Sequence, residues 1–172
     1  MELTYSIWLE FDETSNSALQ DEVMAISIEF GGPRFTPHLT MIGDLDLPVK
    51  AVEMMAEKIG KSWHPGTFFI EDVGVSSKYF MALYLAICIP DSMATLRNSL
   101  FLAADATKAS QDVPHVSLAY GDYPFGALSQ VCSRLKRKFV GTSLGVKYIN
   151  VVRSSKCIPI ADWKTVSRVG VK

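Results

Sequence analysis

Apolar and polar residues change places along this chain with two distinct periods. From Leu3 to Glu10 they alternate around aromatics, the pattern of a strand with one buried face. Leu19, Val23, Ile26 and Phe30 then recur at helical spacing, with Ser15 or Ser17 placed to cap the helix and Gly31-Gly32-Pro33 to stop it. Arg34 to Ile42 reads as a second strand. Pro48 opens a second helix bearing Val52, Met55, Ala56 and Ile59 on one side, with Gly60 behind it. Thr67 to Val75 and Lys78 to Ile89 read as two strands around a Ser76-Ser77 turn, and Asp91 or Ser92 caps a third helix through Met93, Leu96 and Leu100. Val113 to Tyr120 is the next strand. A fourth helix carries Leu128, Val131, Cys132 and Leu135, and strands near Leu144 to Val152 and Trp163 to Val169 follow.

The order repeats itself. Each half runs strand, helix, then a strand containing Pro-His. Tyr5 stands 33 residues before His38, and Tyr84 stands 31 before His115. Two units are too few for a solenoid, so the repeat points to two similar lobes facing each other. Residues 1–172 are therefore expected to form one bilobal α+β domain.

Composition narrows the function. The 172 residues are 48% hydrophobic, enough for a substantial core, and the net charge is −1. A protein that coats long nucleic acid carries a basic excess, so long nucleic acid is not an expected partner. The longest apolar stretch, Tyr79 to Ile89, suits a buried strand and is too short for a bilayer. Cys88, Cys132 and Cys157 are odd in number and widely spaced, which suits free thiols in a reducing compartment. The expectation is a soluble, cytoplasmic monomer without membrane contact.

The chemistry sits in two segments, Pro37-His38-Leu39-Thr40 and Pro114-His115-Val116-Ser117. Side chains on a strand alternate faces, so each histidine shares a face with the hydroxyl two places on. Opening a cyclic phosphodiester needs a base to activate water and an acid to protonate the departing sugar oxygen. Two imidazoles with ordinary pKa values near ~6.5 can supply both. Neighbouring hydroxyls can hold phosphoryl oxygens as charge builds there. Such a site needs no metal or other cofactor. His64, in Trp-His-Pro-Gly, lacks the hydroxyl and reads as a loop histidine. Arg34, Lys78, Lys108 and Arg153 are each suited to a diphosphate, and nothing in the sequence ranks them.

These paired motifs resemble those of the 2H phosphoesterases, and the whole pattern is most similar to their plant- and yeast-type cyclic phosphodiesterases. The likeness also includes Tyr5-Ser6-Ile7-Trp8 and the Gly31-Gly32-Pro33-Arg34-Phe35 run into the first motif. It implies a bilobal fold of antiparallel sheets with outer helices around a central cleft. It implies metal-independent hydrolysis of ADP-ribose 1″,2″-cyclic phosphate to the 1″-phosphate, and of nucleoside 2′,3′-cyclic phosphates to 2′-phosphates, a by-product chemistry of tRNA splicing. His38 would be the acid and His115 the base, with Thr40 and Ser117 on phosphoryl oxygens and Trp8 and Tyr120 lining the substrate site. Plain alternation puts Tyr120 on the face opposite Ser117, so a bulge is needed to re-aim it. The competing readings are a 2H enzyme acting on RNA cyclic-phosphate or 3′ ends, and a nucleotide-binding module without turnover.

Overall fold

A computed structural model describes residues 4–63, 67–103, 113–155 and 157–171. His64, Lys108 and the polar run 105–112 lie outside the described residues.

Among the described residues twelve strands and α-helices follow the expected order, except that the strand expected over Leu144 to Val152 is split at Gly145: β1 (Tyr5–Phe11), α1 (Glu13–Phe30), β2 (Leu39–Leu45), α2 (Val49–Lys61), β3 (Phe68–Val75), β4 (Leu83–Cys88), α3 (Asp91–Ala103), β5 (His115–Ala119), α4 (Ser129–Phe139), β6 (Ser143–Leu144), β7 (Val146–Arg153) and β8 (Lys164–Gly170). The strands make one antiparallel sheet ordered β6-β3-β4-β5-β2-β1-β7-β8. Its two inner neighbours, β5 and β2, carry the two histidine motifs. Four strands lie to one side of this seam and four to the other, the α+β arrangement expected. A single register pair, Leu39 with Val116, joins the seam among the described residues. The curled sheet opens into a cleft there.

Local chemistry explains the element ends. Asp12 rather than Ser15 or Ser17 caps α1: its Oδ1 accepts the Ser15 N–H at 2.8 Å. The Ser15 hydroxyl instead receives the Gly145 N–H at 3.1 Å, tying the helix start to the β6–β7 turn. The strand expected over Arg34 to Ile42 begins only at Leu39, because Gly32, Pro33 and Pro37 keep the chain before it out of a ladder. Gly32 has φ +95°, and a Cβ there would lie 2.6 Å from the Tyr123 hydroxyl and 2.9 Å from the Tyr120 carbonyl. Glycine lets this turn press against the second motif. The strand expected from Lys78 is interrupted by a 3₁₀ turn at Tyr79–Met81, closed by the Ser76 hydroxyl donating to the Met81 carbonyl at 2.7 Å. Helix α2 runs through Gly60 because Val169 of β8 packs there, 2.8 Å from where a Cβ would be.

The helices cover the side of the sheet that Leu39, Met41, Val116 and Leu118 face, and all four are essentially fully buried. Leu19, Val23 and Ile26 of α1 and Val52, Ala56 and Ile59 of α2 complete that core. Burial of each large apolar side chain is worth roughly 1.5–3 kcal/mol. Core residues thus alternate along β2 and β5 with the residues that face the cleft. Among the described residues, no helix is long and apolar enough to cross a membrane.

Candidate active site

The concave side of the seam holds a cavity of about 410 Å³. His38, Thr40, His115, Ser117, Trp8 and Tyr120 all line it, so the six residues singled out in the sequence meet in one place. The seam register explains how. Stepping one residue either way from Leu39↔Val116 in antiparallel strands sets His38 across from Ser117 and Thr40 across from His115. Each imidazole faces the other motif's hydroxyl.

Both strands carry an extra residue just after that hydroxyl. Trp8 pairs with Thr40 and Ile7 with Ile42, leaving Met41 as a bulge in β2. Tyr84 pairs with Ser117 and Leu83 with Ala119, leaving Leu118 as a bulge in β5. The β5 bulge breaks the alternation, and Tyr120 lies on the cavity with Ser117.

Each histidine is oriented through Nδ1. In His38 this nitrogen lies 2.7 Å from the Thr36 carbonyl, and in His115 it lies 2.8 Å from the Val113 carbonyl. A carbonyl only accepts, so Nδ1 carries the proton and Nε2 is the nitrogen left for a ligand. The Trp8 indole stacks on His38 at 3.5 Å and 9°, whereas Tyr84 meets His115 edge-on at 5.8 Å. The environments differ accordingly. His38 is buried, and this desolvation pulls its pKa from 6.5 down to about 4; the Thr36 bond opposes the shift and the nearby His115 adds to it. His115 is only half-buried.

The hydroxyls differ too. Ser117 donates to the Phe80 carbonyl at 2.8 Å and is hydrogen-bonded to the Tyr120 hydroxyl. Burial pushes the Tyr120 phenol well above its ordinary range, with the Ser117 bond acting against the shift, so Tyr120 stays protonated. Thr40 has no hydrogen-bond partner among the described residues and lines the cleft.

Known proteins show the same arrangement of elements. A structure of E. coli LigT complexed with 3′-AMP covers 99% of this chain and 99% of its own, with TM-score 0.60 at 13% identity. A structure described as a phosphoesterase covers 98% of both chains, with TM-score 0.60 at 14% identity. In sequence, a cyclic phosphodiesterase from Arabidopsis thaliana is 24% identical over 118 residues, 69% of this chain. The chain spans 65% of that relative's length, just under two thirds. No protein-family model matches the chain. This fold, that relative and two histidine–hydroxyl motifs on one cleft coincide.

The chain has the fold of LigT and is similar in sequence to a plant cyclic phosphodiesterase.

The cleft also has residues that the sequence did not announce. Trp163 stands edge-on to Trp8 at 5.6 Å and lies 5.8 Å from Phe80, which in turn meets Tyr120 at 5.3 Å. Together they form an aromatic wall whose members come from β1, the 3₁₀ turn after β3, the end of β5 and the start of β8. Ser6, Ser154 and Ser155 supply buried hydroxyls at one end, with Ser154 donating to Ser6 at 2.7 Å. Ser6 and Trp8 share a strand face, a weak signal that was available from alternation. Trp163 and Ser154 are brought in by the β1–β7–β8 pairing, which no local pattern reveals. Of the basic residues, Lys78 lines this cavity, Arg34 lines a neighbouring one, and Arg153 lines neither.

Proposed function

We propose that this protein is a 2H phosphoesterase and that it hydrolyses small cyclic phosphates carried on ribose. The substrates are ADP-ribose 1″,2″-cyclic phosphate, opened to the 1″-phosphate, and nucleoside 2′,3′-cyclic phosphates, opened to 2′-phosphates. The observation that carries the reading is the meeting of two Nδ1-anchored imidazoles and two hydroxyls across one seam. The curated relative's name and the nucleotide in the LigT crystal support it.

In this mechanism the half-buried His115 is the base, since water reaches it readily. Its Nε2 takes a proton from water as the water oxygen bonds to phosphorus. The bond from phosphorus to one sugar oxygen breaks, and His38 Nε2–H protonates that oxygen. Burial keeps the His38 imidazole neutral near neutral pH, so the substrate's negative charge is needed to load it with a proton. An anion within about 4–6 Å raises an opposing group's pKa by roughly 1–3 units, which lifts His38 from about 4 towards the ordinary imidazole range and raises the fraction that carries a proton. Thr40 donates to a phosphoryl oxygen, while Ser117, engaged with Phe80 and Tyr120, holds the other side of the site in place.

The test is turnover of these cyclic phosphates in EDTA, with product position read by phosphorus NMR. Ring opening should persist under chelation and fall about 10²–10⁴-fold in His38→Ala and in His115→Ala. A folded sample that binds these nucleotides without opening any of them would leave only a binding module.

A further inference from the structure

A second cavity of about 370 Å³ adjoins the first, and the two share Trp8, His38 and Trp163 as a common wall. A ligand whose cyclic phosphate sits between the histidines therefore has an exit over the indoles into this space. The lining there changes character. The first cavity offers aromatic surface from Tyr79, Phe80 and Phe101, which suits the flat face of a base. The second offers Thr36, Asn150 and Thr165, together with Arg34, Arg168 and Glu10.

Its charges are unequal. Arg168 donates to Glu10 Oε2 at 2.8 Å and to Asn150 Oδ1 at 3.0 Å, and the Asn150 amide also donates to Glu10. That network satisfies the carboxylate from within the pocket wall. Arg34 is left over: it is exposed, lines the cavity, and makes no ion pair with any described residue. The pocket lining thus carries two guanidiniums against one carboxylate. A planar fork of five donors beside a polar floor is built for phosphoryl oxygens.

We infer that this second cavity is a subsite for a phosphoryl group on the 5′ side of the ribose that bears the cyclic phosphate, with Arg34 as its principal contact. The inference rests on the cyclic-phosphate reading of the first cavity and adds the part of the substrate that reading leaves unplaced. Both a pyrophosphate bridge, as in ADP-ribose 1″,2″-cyclic phosphate, and a single diester, as in a dinucleotide with a terminal 2′,3′-cyclic phosphate, present this chemistry.

The experiment compares adenosine 2′,3′-cyclic phosphate with the same molecule carrying a 5′-phosphate, in wild type, Arg34→Gln and Arg34→Lys. Wild type should favour the 5′-phosphorylated substrate by about tenfold in kcat/KM, the low end for a charge-assisted contact because Arg34 is exposed. Arg34→Gln should bring that ratio near one and Arg34→Lys should keep part of it. Raising salt should narrow it in wild type alone. Equal kcat/KM for both substrates in wild type, or a preference untouched by Arg34→Gln, would overturn the subsite while leaving the hydrolytic reading intact. If neither substrate is turned over, the hydrolytic reading fails, and quenching of tryptophan fluorescence decides the subsite. Tighter, Arg34-dependent quenching by the 5′-phosphorylated ligand supports it; equal quenching overturns it. Running the pyrophosphate-bridged and diester-bridged substrates alongside shows which source gains more from Arg34.

Discussion

Burial of His38 ties the stability of the protein to pH in a way that one substitution exposes. The native imidazole holds its proton only below about pH 4, while the unfolded chain takes one up near 6.5. Between those values the unfolded state binds more protons, so stability falls as pH falls. The contribution is fully present above 6.5 and is lost as the pH drops towards 4. The full gap of about 2.5 units corresponds to roughly 3.4 kcal/mol, at about 1.36 kcal/mol per unit. At pH 5 about 2 kcal/mol of it is gone, and at pH 7 almost none. Asn at position 38 does not titrate. Urea unfolding of wild type and His38→Asn at pH 7 and pH 5 isolates the effect, because titrations common to both proteins cancel. Wild type should lose about 2 kcal/mol more than the variant between the two conditions. Parallel losses would mean that His38 titrates normally in the folded protein. The idea that the substrate's charge loads the acid with its proton would then have no basis.

Three further outcomes follow from neighbouring contacts. Trp8→Ala removes the indole from one face of His38, so the His38 ring proton signals should titrate about one unit higher, towards 6.5; an unmoved titration would show that the stack does not keep water out. Ser117→Ala deprives the Phe80 carbonyl and the Tyr120 hydroxyl of their shared partner and should cost about 1–3 kcal/mol in urea unfolding. Thr40→Val should cost less, and equal losses would contradict the difference between the two hydroxyls. Burial tends to raise the Glu22 carboxyl, but Arg134 and Lys138 outweigh it and hold the pKa below the usual carboxylate range. Glu22→Ala should therefore destabilise by about 1–2 kcal/mol near neutral pH, modestly because both cations are half-exposed. The difference should shrink as pH falls through that lowered pKa, and a pH-independent loss would point to packing instead.

Much of this arrangement was legible because strand and helix periods were clean. The two motifs could be placed on strands with their histidines and hydroxyls on one face, since Leu39, Met41, Val116 and Leu118 had to go inward. What local patterns could not supply was the order of strands. That order makes β2 and β5 neighbours, and it carries Trp163, Ser154 and Ser155 to a cleft whose motifs lie far away in sequence. The helix cap was misplaced for a simpler reason. Asp12, Ser15 and Ser17 are all competent caps, and the choice fell to Asp12 because Gly145 claims the Ser15 hydroxyl. The proposed acid and base roles rest on how deeply each imidazole is buried, which pattern does not show.

The paired bulges at Met41 and Leu118 govern which changes of length the chain can accept. An extra residue pins the pairing of a strand, because sliding by one position would have to carry the bulge along. Deleting Met41 or Leu118 would restore regular alternation and turn everything beyond it to the other face, and inserting a residue beside either would shift the strand by one position. In β5 that would move Tyr120 off the cavity wall. Point substitutions at these two sites change only packing, whereas a one-residue change in length rebuilds one side of the cleft. Insertions and deletions should therefore be shut out of these two short stretches and confined to turns such as the one between β6 and β7.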